Sequence, residues 1–138
     1  MTKTILAAID INDEAGAAKV AEQAGLMAKS SGAALHAISV VPDSGMAIVS
    51  AALGPDHDKA VLAATREAAS TFLTKHLPEA QLHVIQGSIY DSIIRTANKL
   101  DADMIVIGSH RPELRDYLVG PNAARVARHA RQSVLIVR

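Results

Sequence analysis

The chain has no cysteine and no tryptophan among its 138 residues. Disulfides, thiolate metal sites and cysteine nucleophiles are therefore excluded. Aromatic side chains are nearly absent too: Phe72, Tyr90 and Tyr117 are the only ones. The core must be aliphatic, and the stacking platforms that grip single-stranded nucleic acid are missing. Net charge is absent as well. Lysine plus arginine and aspartate plus glutamate number 14 each. No overall field draws the protein to nucleic acid or to an anionic membrane. No apolar run reaches the length of a membrane span. The opening stretch MTKTILAAID meets Asp10 too early for a signal peptide. The expectation is a soluble cytoplasmic protein of one domain, residues 1–138, long enough to bury a core without staples.

What is present is a regular alternation of apolar runs and helical periodicities. Thr4 to Ile9 is an apolar run without polar alternation, which predicts a strand buried on both faces. Asn12 or Asp13 can cap a helix from Asp13 to Ser31, with Ala17, Val20, Ala21, Ala24, Leu26, Met27 and Ala28 at helical spacing. Gly32 stops it. Leu35 to Val41 is the second strand. Pro42 to His57 carries breakers at both ends and an apolar middle, and reads as a long loop. Its AIVSAAL segment, Ala47 to Leu53, suits a core plug, a lid or a partner surface.

Asp58 to His76 is predicted as a helix with Val61, Leu62, Ala64, Ala68, Phe72 and Leu73 on its apolar face. Gln81 to Gln86 is the third strand, Gly87 a turn and Ser88 a cap for a helix through Ile89, Ile93, Ile94, Ala97 and Leu100. MIVIG, starting at Met104, is the fourth strand. After a charged loop, Pro121 to Arg131 is a helix whose Ala124, Ala127 and Ala130 can face the sheet. Ser133 to Val137 is the last strand. The βαβαβαβαβ order implies an α/β fold, an open five-stranded parallel sheet with helices on both faces.

Ligands of such sheets bind beyond the carboxyl ends of the strands. Ile9, Asp10 and Asn12 arrive there from the first strand, Val40 from the second, and Gly108, Ser109 and His110 from the fourth. A carboxylate beside an apolar wall suits a nucleoside. Gly120, Pro121 and Asn122 open the last helix, where unpaired N–H groups and the helix dipole favour a phosphate. Pro121 itself brings no N–H. Arg111 and Arg115 are either phosphate ligands or a solvated face. Asp10 is either a nucleoside ligand or a helix cap. No GxxxxGK[ST] and no GxGxxG occurs.

The six histidines show no metal-ligand spacing. Ser109, His110 and Asp10 lack the nucleophile elbow that a catalytic triad of this kind requires. Neither a metal nor a catalytic residue is assigned, and any hydrolysis would be slow and incidental. The basic residues of the last helix, Arg125, Arg128, His129 and Arg131, suit a helix C-terminus without invoking nucleic acid.

Three segments in combination, ILAAID from Ile5, GSIYDSIIRTANKLDADMIVIGSHRP from Gly87 and GPNAARVARHARQSVLIVR from Gly120, resemble the universal stress proteins of the UspA superfamily in their single-domain form. The resemblance implies strand order 3-2-1-4-5 and a homodimer formed through the last strand, Ser133 to Val137. It implies adenine-nucleotide binding (ATP, ADP or AMP, with Mg²⁺ beside a triphosphate) and a stress-linked regulatory role. Asp10 and Val40 match the family's nucleoside-contacting positions, and Gly108 and Gly120 match the first and third glycines of its phosphate loop. Arg111 stands in place of the second glycine, the loop is one residue shorter, and Pro121 replaces Ser or Thr. The alternative is a dimer without nucleotide that works through protein partners, with the loop from Pro42 to His57 as the candidate surface. A free apolar edge on SVLIV also invites pairing with a second chain on physical grounds alone.

Overall fold

A computed structural model describes residues 2–42, 54–109 and 119–138. Among these, nine elements alternate along the chain: β1 (Thr4–Ala8), α1 (Glu14–Ser31), β2 (Ala34–Pro42), α2 (Pro55–His76), β3 (Gln81–Gly87), α3 (Ile89–Lys99), β4 (Met104–Gly108), α4 (Pro121–His129) and β5 (Ser133–Val137). The strands form one parallel sheet in the order β3-β2-β1-β4-β5. Chain order therefore reverses between β1 and β4, where Ile5 pairs with Met104 and Ala7 with Val106.

Both faces of the sheet are covered, which is why β1 reads as an unbroken apolar run. Ile5 and Ala7 point to one face and pack with Val20, Ala21 and Ala24 of α1 and Phe72 and Leu73 of α2. Leu6 points to the other, with Ile38, Ile105 and Ile107 of the sheet, Ile93 and Ala97 of α3, and Ala123 and Val126 of α4. Ile5, Leu6 and Ile105 have no exposed surface at all. Each such side chain contributes about 1.5–3 kcal/mol by leaving water.

Local signals explain the boundaries. Asp13 is the N-cap of α1, and its carboxylate accepts the Gly16 N–H at 3.2 Å. A side chain on residue 16 would collide with that carboxylate. Gly32 closes α1 in the left-handed region, at φ 73°, and donates its N–H to Ala28. At the amino ends of the strands, Asp103 accepts the N–H groups of Lys3 at 2.8 Å and Thr4 at 2.9 Å. It thereby binds the start of β1 to the start of β4.

Several expectations need correction. The second helix begins at Pro55, three residues before Asp58, because Pro55 fits the first turn behind a Gly54 N-cap. Ala64 and Ala68 are exposed, and Ala69 is buried instead. On α4 the sheet-facing residues are Ala123 and Val126, with Ala130 partly buried, whereas Ala124 and Ala127 face outward. The same helix stops at His129 rather than Arg131. Leu26, expected on the apolar face of α1, is 56% exposed. Ser88 occupies the N-cap of α3, but its hydroxyl makes no capping bond. Of the long loop, Pro42 closes β2 and residues 55–57 belong to α2, while Ala47 to Leu53 lie outside the described residues.

Candidate functional site

A crevice of about 330 Å³ opens at the carboxyl ends of β1, β2 and β4, where the strand order reverses. That volume falls at the lower end of small-ligand pockets. Its floor and one wall are apolar: Ala8, Ile9, Ile38, Val40, Ile93 and Ile107. Ile9 is buried, and its N–H reaches the Ile38 carbonyl at 2.9 Å, which fixes the first residue beyond β1.

Three helix N-termini converge on this space. Asp13, Gly16 and Ala17 come from α1, Ile89 from α3, and Pro121, Asn122 and Ala123 from α4. They differ in electrostatics. At α1 the Asp13 carboxylate already answers the helix's own N–H groups. At α3 the N-cap Ser88 makes no side-chain capping bond, and at α4 the N-cap is Gly120, which has no side chain. The first N–H groups of a helix lack partners within it and carry the positive end of its dipole. One side of the crevice is thus suited to an anion. The opposite side carries carboxylates, suited to a hydroxyl or amino donor.

Asp10 stands on that acidic side. It is exposed, and its Oδ1 accepts the Asn12 N–H at 2.9 Å while its carbonyl accepts the Asp13 N–H at 3.0 Å. Asp10 therefore shapes the turn into α1 but does not cap the helix. The cap is Asp13, which settles the choice between Asn12 and Asp13 as well.

Among the residues singled out in the sequence, Ile9, Asp10, Val40, Gly108, Gly120, Pro121 and Asn122 all line the crevice. Ser109 does not. Its main chain is engaged elsewhere, with its N–H on the Val137 carbonyl at 2.9 Å and its carbonyl receiving the Gly120 N–H at 3.4 Å. These bonds tie the end of β4 to β5 and to the start of α4, so the main chain of Ser109 frames the loop. His110 and Arg111 lie outside the described residues, as does Arg115. The first turns of α1 and α3 were not anticipated. A usable signal existed: every strand-to-helix connection in a parallel sheet lies at the carboxyl edge, so the helices that follow the strands flanking the crevice open beside it.

The N-terminus of α4 is specialised. Gly120 is buried, and Pro121 at the first helical position has no N–H. The Gly120 N–H is held by Ser109. The groups offered to an anion are then those of Asn122 and Ala123. Among the described residues, no group of three or more His, Asp or Glu side chains is placed to hold a metal ion.

The model of the Universal stress protein family matches residues 1–138. The chain belongs to this family. It is 46% identical over 56 residues to Universal stress protein G of Salmonella typhimurium, a stretch covering 41% of this chain and 39% of that protein. Among solved structures, it is similar to a putative universal stress protein from Pseudomonas aeruginosa UCBPP-PA14, with TM-score 0.74 and 29% identity over 99% of this chain and 48% of the other. The matches thus span about two fifths of that curated relative and about half of that solved chain.

Two further universal stress proteins share the fold and carry nucleotides. One, from Archaeoglobus fulgidus, is in complex with dAMP, at TM-score 0.70 and 22% identity over 99% of this chain and 98% of the other. The second is in complex with cAMP, at TM-score 0.64 and 22% identity over 99% of this chain and 97% of its own. The five-stranded order 3-2-1-4-5 is the arrangement expected of the family.

Proposed function

We propose that this chain is a stress-associated adenine-nucleotide-binding protein with a regulatory or sensing role, acting as a cytoplasmic homodimer and not as an enzyme. The observation that carries the reading is the crevice itself: an apolar wall between β1 and β4, with an exposed carboxylate at one side and uncapped helix N-termini at the other. Val40 and Ile9 would flank the base. Asp10 would accept a hydroxyl or amino proton from the nucleoside. Gly108, Gly120 and the N–H groups of Asn122 and Ala123 would approach the phosphate, with His110 and Arg111 in the connecting loop. The dAMP and cAMP complexes of two relatives support the ligand class.

The residues fit a nucleotide more readily than they fit a long phosphate chain. A glycine-rich cradle offers consecutive N–H groups to phosphate oxygens. Here Pro121 removes one donor and Ser109 occupies the next. AMP and ADP are therefore as suitable as ATP, and Mg²⁺ would accompany a triphosphate. The same departures favour a second reading, a dimer that binds no nucleotide and works through protein partners, with the Pro42–His57 segment as the candidate surface.

The deciding experiment identifies small molecules released on denaturing freshly purified protein, paired with calorimetric titration of ATP, ADP and AMP with and without Mg²⁺. Retained or titratable adenine nucleotide supports the first reading. No heat of binding at millimolar ligand over several temperatures supports the second. Gly120→Val, placing a branched side chain at a buried position on the crevice, is expected to weaken nucleotide binding at least about tenfold, or about 1.4 kcal/mol, with dimerisation retained. Equal affinity in that variant would move the phosphates away from α4.

A further inference from the structure

Toward the amino ends of β2 and β3, outside the crevice lining, two histidines meet. His36 Nδ1 and His83 Nε2 are 2.9 Å apart, and the rings stack with centroids 5.2 Å apart and planes at 27°. Among the described residues, strand β3 is the outermost on its side of the sheet and pairs with β2 alone. The register sets His36 opposite Gln81 and Ile38 opposite His83, so the imidazole contact runs diagonally across the strand junction. By strand alternation both rings lie on the face of Ile38 and Ile85, the face that α3 covers.

The contact has a definite proton requirement. Between two neutral rings, one nitrogen donates and the other accepts. One added proton leaves an N–H to lone-pair bond in place. A second removes the remaining acceptor and sets two cations at contact distance. Lys99, in the last turn of α3, adds a third positive charge that acts on His83. That lysine also opposes a metal cation in place of the shared proton.

We propose that His36 and His83 form an acid-sensitive latch, which holds edge strand β3 against β2 at neutral pH and releases it once both imidazoles are cationic. The electrostatics agree with the geometry. Burial holds His36 below the usual histidine range. Burial chiefly, then the neighbouring His36 and then Lys99, do the same to His83. The sign follows from linkage. As pH falls, the unfolded chain takes up protons first, near the ordinary histidine value of about 6.5, while the folded pair resists. Stability contributed by the neutral pair is thus present above about pH 6.5 and is lost as pH falls toward the lowered folded values.

The test compares the wild type with His36→Gln, whose amide can still bond His83 but cannot become a cation. Melting temperature is measured from pH 8 to pH 5, together with hydrogen exchange of the β3 and β1 amides corrected for intrinsic rates. The wild type is expected to lose melting temperature below pH 6.5 and to lose protection in β3 before β1. In His36→Gln the acid-side decline should shrink by roughly half or more. An equal decline in both proteins, or protection lost uniformly across the sheet, would overturn the latch. Should the variant fail to fold, the wild-type imidazole resonances decide. Two coupled titrations below the ordinary histidine value support the latch, and two independent ones near that value overturn it.

Discussion

Asp103 shows how much a single exposed side chain can organise. Its carboxylate accepts two main-chain N–H groups from the start of β1, at 2.8 Å from Lys3 and 2.9 Å from Thr4. These two bonds, in that order, hold its pKa below the usual carboxylate range, with the N-terminal amine and the Lys3 charge adding to the effect against a small cost of burial. A depressed acid stabilises the fold above its unfolded pKa of about 3.9, and that contribution disappears as pH falls through the folded value. Asp103→Asn is accordingly expected to lower the denaturation midpoint at pH 7 and pH 5, with the difference from wild type narrowing as pH falls below about 3.9. A difference that persists unchanged at pH 3 would show that charge is not the source. Neither partner of Asp103 is a charged side-chain group, so no pairing pattern in the sequence pointed to it.

At the scale of elements, phase separates what could be read from what could not. Runs such as MIVIG and SVLIV declare themselves because branched aliphatic side chains fit a covered sheet on either face. The alanine-rich helices do not. Alanine is a strong helix former everywhere and buries little surface, so it marks a helix without marking its inner side. Thus α4 was expected at nearly the right position but turned about its axis, with Val126 setting its actual phase, whereas on α2 the expected Phe72 and Leu73 are buried and only the alanines Ala64 and Ala68 were misassigned.

The crevice was legible for a related reason. Residues immediately after a strand have their location fixed by topology, and seven of the ten chosen ones border the site. The contributions of α1 and α3 depend on where each helix begins and how it tilts, which composition does not specify. The corrected phase of α4 makes a sharp prediction. Ala127→Glu, on the outer face, should change stability by no more than about 0.5 kcal/mol. Val126→Asp, one position earlier and fully buried, should abolish cooperative folding, because an unpaired carboxylate in the core must be neutralised or exposed. Circular dichroism melts of the two variants distinguish the two faces. The packing between α3 and α4 also includes Arg125, whose guanidinium lies 5.3 Å from the centre of the Tyr90 ring. It serves as a cover for an aromatic side chain and needs no nucleic acid to explain it.

For the molecule as a whole, the two sheet edges have different tasks. Among the described residues, strand β5 pairs with β4 alone and leaves one row of main-chain groups without a ladder partner. Val134 and Ile136 lean on one core cluster, and Leu135 and Val137 on the other. We propose that this edge is completed by its own copy under two-fold symmetry, as suits an unpaired apolar strand. Sedimentation equilibrium is expected to return the mass of a dimer at micromolar concentration, and a monomer at all concentrations would remove this edge as an interface. No helix among the described residues is long and apolar enough to cross a membrane.

The reversal of strand order has a consequence for how the protein comes into being. Because β1 lies between β2 and β4, the first strand waits for a partner about a hundred residues away, as the bond from Lys3 to Asp103 records. Closing so long a segment is entropically costly before any contact rewards it. During synthesis, then, Asp10 emerges early and stays without a pocket until Gly108 and the last helix arrive. A chain severed in the exposed turn at Pro78 and Glu79 would yield two pieces, each holding one bank of the crevice. The crevice belongs to neither half of the polypeptide but to their reunion.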